Sequence, residues 1–75
     1  MDDANSLQIK LGQAVRQQRS ALGYSQDSFA DVIGMHRAYY STIERGERNM
    51  TLQTIARVAE GLKLTITQLM AAADI

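Results

Sequence analysis

Arg37, Ala38, Ser41 and Thr42 are spaced so that one helical face carries all four. The chemistry they offer is recognition rather than bond-making. An arginine at the start of such a helix can donate two parallel hydrogen bonds to guanine O6 and N7, worth about 1–3 kcal/mol of discrimination between bases. Ala38 is small enough to meet a thymine methyl, and the hydroxyls of Ser41 and Thr42 can serve either edge. The plainer reading of each is a solvent-facing helix residue. His36, just before this face, and Tyr39, on its flank, can reach a phosphate or a base edge, or simply lie at the surface. Tyr39 and Tyr40 point about 100° apart on a helix, so they do not form one shared stacking platform.

Other chemistries are poorly supplied. The chain has no cysteine and a single histidine, so no zinc site is expected and no cofactor is implied. Ser41 follows His36 by five residues without a third group to orient the pair. There is no glycine-rich phosphate loop. An enzyme is therefore not expected.

The elements that must hold the face are legible on either side of it. Ser25 can cap a helix in which Phe29, Ala30 and Ile33 form an apolar stripe. Gly34 ends that helix, since glycine enters the left-handed conformation freely. A second amphipathic helix follows at once, with Tyr40 and Ile43 inward and the four recognition candidates outward, and it ends near Arg45-Gly46. This is a helix-turn-helix outline, whose second helix can enter a DNA major groove. A preceding helix is expected from about Ser6 to Leu22, with Leu7, Leu11, Val15 and Leu22 on one face and Gly23 at its close. Gly12 sits within it at a cost of about 1 kcal/mol relative to alanine. After the loop Glu47–Met50, Thr51 caps a fourth helix with a broad apolar face of Leu52, Ile55, Ala56, Val58, Ala59 and Leu62, and Gly61 lies near its end. A fifth begins after Thr65 and holds Ile66, Leu69 and Met70, and the last five residues are expected to fray.

Five helices in 75 residues, 45% of them hydrophobic, make one all-α domain over residues 6–75, preceded by a flexible stretch over 1–5. A core of this size leaves little margin, so self-association would help. No apolar run is long enough to cross a bilayer. The acidic MDDANS start is not a secretory signal, and the absence of cysteine suits a cytoplasmic location. Net charge is zero, which speaks against strong non-specific binding to DNA. From Lys10 to Arg48, however, six basic residues face four acidic ones.

The residues from Leu11 to Leu69 resemble the phage-repressor/Cro helix-turn-helix family, also called XRE-like. The resemblance rests on Arg19 in QQRSALGYSQ, Ser25-Gln26, Phe29-Ala30, Ile33-Gly34 and Ile43-Glu44-Arg45-Gly46. Arg37-Ala38-Tyr39 followed by Glu44-Arg45-Gly46-Glu47-Arg48-Asn49 is similar to the controller proteins of restriction–modification systems, which are small dimeric regulators.

The resemblance implies a five-helix, lambda-repressor-like DNA-binding domain. It implies base contacts from Arg37, Ala38, Thr42 and Ser41, with Thr42 nearer the bases than Ser41. Phosphate contacts would come from Gln26, His36, Tyr39, Arg48 and Asn49, and Arg19 and Glu44 would form a structural ion pair. Ile66, Leu69 and Met70 exceed what a short terminal helix needs, and they are candidates for a homodimer interface, with Leu69 expected toward the core and Ile66 and Met70 expected to form the two-fold patch. A symmetric dimer would read a pseudo-palindromic operator. It would act by blocking RNA polymerase or recruiting it. The alternative is a protein-interaction module of the same fold, which zero net charge favours slightly, or an antitoxin that binds DNA and a partner toxin.

Overall fold

The computed structural model describes residues 3–75. It contains α1 (Asp3–Ala21), α2 (Gln26–Val32), α3 (Arg37–Glu44), α4 (Leu52–Gly61) and α5 (Ile66–Ala72), with no strand among the described residues. The all-α expectation holds. The first helix starts at Asp3, ahead of the expected Ser6. The flexible stretch expected over 1–5 thus overlaps the helix at 3–5, and Met1 and Asp2 lie outside the described residues.

The helices are bounded by local chemistry. Ser25, Thr51 and Thr65 each accept a bond from the amide three residues on, which satisfies one of the first-turn donors. Ser25 with Ser28, and Thr65 with Gln68, complete reciprocal capping boxes. At the other end α2 closes through Met35 N to Ala30 O (2.8 Å) and Gly34 N to Asp31 O (3.1 Å), with Gly34 at φ +67°. That closure sets the tight turn into α3. Helices α4 and α5 close in the same way without glycine, using Lys63 at φ +63° and Asp74 at φ +62°. Gly61, expected near the end of α4, is its last helical residue. A Cβ there would collide with the Ile33 side chain and press on the Phe29 ring at 3.1 Å. Its smallness serves packing of α4 on α2. The C-terminal residues are tied down as well: Ala73 is buried and Ile75 N donates to Met70 O (3.1 Å).

Leu11, Ala14 and Val15 of α1, Phe29, Ala30 and Ile33 of the α2 segment, Tyr40 and Ile43 of α3, Val58, Ala59 and Leu62 of the α4 segment, and Leu69 and Ala73 form one core. The rings of Tyr24, Phe29 and Tyr40 pack in series, with centroids 5.6 and 5.3 Å apart and tilted planes, a favoured aromatic geometry. Two expected core stripes are trimmed at their ends. Leu7 and Leu22 of the first stripe are 46% and 43% exposed, and Leu52 is 70% exposed. Ala56 is exposed too. Leu7, Leu22 and Leu52 lie at helix ends, past the small core, whereas Ala56 is exposed in the middle of α4. Among the described residues, no helix is long and apolar enough to cross a membrane.

Gly12 explains itself here. Helices α1 and α3 approach so closely that a Cβ on Gly12 would stand 2.5 Å from Ile43 O and 2.6 Å from Glu44 O. The propensity cost of glycine within α1 is offset by bringing the end of α3 against α1.

Candidate nucleic-acid interface

The interface is set by one buried polar hub behind it. Glu44, the last residue of α3, accepts from Arg19 Nε (2.6 Å) and Nη2 (3.2 Å) of α1, from Gln26 Nε2 (2.8 Å) of α2, and from the Tyr40 hydroxyl one turn earlier. Arg19 also donates to Tyr24 O (2.7 Å). Three helices are thereby joined through one carboxylate, and it is this junction that fixes the orientation of α3. Burial pushes the Glu44 carboxyl up, but the bonds from Arg19, Tyr40 and Gln26 outweigh it and hold the group below the usual carboxylate range. Burial, followed by the bond to Glu44, raises the Tyr40 phenol. The bond to Glu44 raises Arg19.

Outward from this hub, α3 presents Arg37, Ala38, Ser41 and Thr42, continued by Arg45. Arg37 and Ala38 are exposed, and Ser41 and Thr42 are half-buried. The structure therefore brings the four base-contact candidates together on one face. Their bonds differ. Arg37 Nε lies 2.5 Å from Asp27 Oδ1, and both side chains are about as open as surface residues become, at 68% and 72% exposed. Ser41 accepts from Arg45 Nη1 (2.6 Å) and keeps its own proton to donate. Thr42 donates to Tyr39 O (2.6 Å) and accepts from Arg48 Nε (2.9 Å), so its hydroxyl retains only acceptor capacity.

The phosphate candidates flank this face. His36 occupies the N-cap of α3 and makes no side-chain cap bond, so the first-turn amides of α3 are left without a side-chain acceptor, unlike those of α2, α4 and α5. That end of a helix favours an anion. Arg48 stacks over the half-buried Tyr39 ring, 4.7 Å from its centroid, a cation–π arrangement. Asn49 is exposed, and its Oδ1 accepts from Gln8 Nε2, which leaves its amide N–H groups to donate. Gln26 is turned inward instead: one of its amide hydrogens is spent on Glu44. Arg45 and Glu47 are paired through two bonds, 3.0 and 3.2 Å. The mutual bond raises the arginine and lowers the carboxyl.

One residue grouped with the interface candidates does not belong to the surface. Leu69 is fully buried in its own core, because α5 turns that residue toward α1 and α4, and it offers no surface to a partner. Ile66, at 37% exposure, and half-buried Met70 remain near the surface, with exposed Ile75 beyond them. The residue that spacing did not single out is Asp27. Its signal was its place in the first turn of α2, where an acid also has a helix-dipole explanation. Among the described residues no group of histidines and carboxylates could hold a metal ion.

Known proteins share this fold. The helix-turn-helix family pattern matches residues 15–69. The control protein C.MunI of a Mycoplasma species is 36% identical over 66 residues, covering 87% of this chain and 89% of that protein. The crystal structure of the restriction–modification controller protein C.AhdI from Aeromonas hydrophila superposes with a TM-score of 0.77 at 38% identity, over 81% of this chain and 92% of that one. The controller protein C.Esp1396I, solved as a tetramer on its natural 35-base-pair operator, superposes with a TM-score of 0.78 at 25% identity, over 92% of this chain and 96% of that one. The chain belongs to the helix-turn-helix family of DNA-binding transcription regulators, and controller proteins of restriction–modification systems are among its relatives.

Proposed function

We propose that this protein is a cytoplasmic transcription regulator that binds a pseudo-palindromic operator as a homodimer and controls restriction–modification genes. The observation that carries the reading is the outward face of α3. Exposed Arg37 and Ala38 and half-buried Ser41 and Thr42 share one face there, at a helix N-terminus left open by His36. In this reading Arg37 contacts a guanine and Ala38 a thymine methyl. Thr42 and Ser41 complete the base contacts, Thr42 as an acceptor. His36, Tyr39, Arg48 and Asn49 hold phosphates, with Gln26 contributing its remaining amide hydrogen. Exposed Ile66 and half-buried Met70 on the short final helix supply the two-fold interface that sets the spacing of the two α3 helices. Bound to its operator, the dimer blocks polymerase or recruits it.

The test is a binding selection on random duplex DNA, with Arg37→Ala as the control and sedimentation to establish the oligomer. The expected product is an inverted repeat. In Arg37→Ala one position of each half-site loses its base preference, by about 10- to 100-fold in affinity ratio. A folded dimer that enriches nothing at low salt would overturn the DNA reading in favour of a protein-interaction module.

A further inference from the structure

We infer that Asp27, on α2, is a positioning residue for base readout: its carboxylate pairs with the Arg37 guanidinium on the Nε side and so leaves the two terminal nitrogens for the groove. The inference rests on the DNA reading proposed above and deepens it. The motivating observation is the ion pair between Arg37 Nε and Asp27 Oδ1, 2.5 Å apart, made between the first turns of the two helices of the motif. Guanidinium chemistry gives the contact a consequence. An arginine carries five N–H donors in a rigid plane. A carboxylate that takes the Nε edge leaves the Nη1 and Nη2 hydrogens free, and these can make the end-on pair of bonds to guanine O6 and N7.

Stability does not account for the pair. Both side chains are more than two-thirds exposed, and exposed ion pairs contribute little to folding. A helix-dipole role explains an acid in the first turn of α2, but not why Arg37 reaches back across the turn to meet it. At the DNA surface the balance changes. A negative carboxylate next to the phosphates weakens binding to every sequence. It raises affinity only where a fixed guanidinium finds its base, because the ordering of a long side chain has then been met in advance. Asp27 therefore acts in opposite directions on cognate and non-cognate DNA.

That opposition is the test. The duplex recovered from the selection is compared with single-base-pair variants and with an unrelated duplex. The proteins are the full-length wild type, Asp27→Asn, Arg37→Ala and the double variant, at one fixed salt concentration. Asp27→Asn is expected to melt like the wild type and to bind the unrelated duplex more tightly. It should lose about two- to tenfold of its discrimination, and only at the base pair that Arg37→Ala makes indifferent. In the Arg37→Ala background Asp27→Asn should change no discrimination. An equal gain on all duplexes, cognate included, would overturn the inference and reduce Asp27 to a local repulsive charge. So would a loss of discrimination that persists without Arg37. A wild type that prefers no sequence would overturn the DNA reading itself, which the Arg37→Ala comparison identifies separately.

Discussion

Truncating Glu44 to alanine removes more than one contact. The carboxylate accepts two bonds from Arg19, one from Gln26 and one from Tyr40. Arg19 is 9% exposed. After the truncation it keeps only its bond to Tyr24 O at 2.7 Å. Breaking a buried pair from one side costs about 3–5 kcal/mol, because the remaining charge is left without its partner. A domain of this length is stable by about 4–11 kcal/mol in total. Glu44→Ala should therefore lower the melting temperature by about 12–40 °C and leave a large unfolded fraction at the low end of that stability range. The assay is thermal and urea unfolding followed by circular dichroism, at fixed protein concentration because self-association adds stability. Glu44→Gln, which keeps the shape and the acceptor oxygen, should lose less. Replacing the buried members of the hub together by apolar residues, Arg19→Met and Tyr40→Phe with Glu44→Leu, should recover much of the loss, since a buried ion pair is costly to desolvate in the first place and no buried hydroxyl is then left unpaired. A Glu44→Ala protein that melts within a few degrees of the wild type would refute the reasoning: the guanidinium would then be adequately solvated, and the hub would not be what fixes α3.

The same hub predicts an acid response. Glu44 has a folded pKa below its unfolded value of about 4.3. Its contribution is thus complete above the unfolded value and is lost as pH falls through the lower folded value. Melting temperatures measured from neutral to acid should be flat and then drop, and Glu44→Gln should flatten that drop; an unchanged drop in the variant would assign the acid sensitivity to other carboxyls. Gly12→Ala tests the close approach of α1 and α3. Helix propensity alone predicts a gain of about 1 kcal/mol, whereas a Cβ 2.5 Å from backbone oxygen predicts a net loss of about 1–3 kcal/mol, the usual cost of overpacking. A raised melting temperature would show that the helices can separate at little cost.

What was legible in the sequence follows from how local each signal is. Ser25, Thr51 and Thr65 announced helix starts because a cap needs only the next three residues. Gly34 announced the turn because a left-handed position favours glycine. The helix ends at Lys63 and Asp74 were not legible, since the left-handed residue there is one that rarely takes that conformation. Periodicity found the core stripes but overextended them to Leu7, Leu22 and Leu52. A helical period records which face is apolar, not where the neighbouring helix stops. Gly12 read only as a cost and Gly61 only as a residue near a helix end, and both are close-approach positions, which depend on residues far away in the chain. Arg19 and Glu44 were paired through the family resemblance, and their partners Gln26 and Tyr40 came into view only with the fold. Leu69 was grouped with Ile66 and Met70 because all three are apolar on one short helix, but the core face to which its spacing points is where it lies.

Zero net charge was the main objection to a DNA partner, and the arrangement of charges answers it in physical terms. Arg19 is spent in the core on Glu44. At the surface Arg37 faces Asp27 and Arg45 faces Glu47. Two arginines bordering the recognition face are thus matched by a carboxylate within bonding distance, and Arg48 rests on the Tyr39 ring and the Thr42 hydroxyl. A surface balanced in this way attracts phosphates weakly, since long-range attraction depends on uncompensated charge. Its arginines still carry unused N–H donors. Affinity then has to come from partners that meet those donors at short range, and base edges in the right order supply them where a bare backbone does not. Local neutrality under the proposed reading is therefore a specificity device: it subtracts the sequence-independent attraction that every duplex would share and leaves the part that differs between sequences.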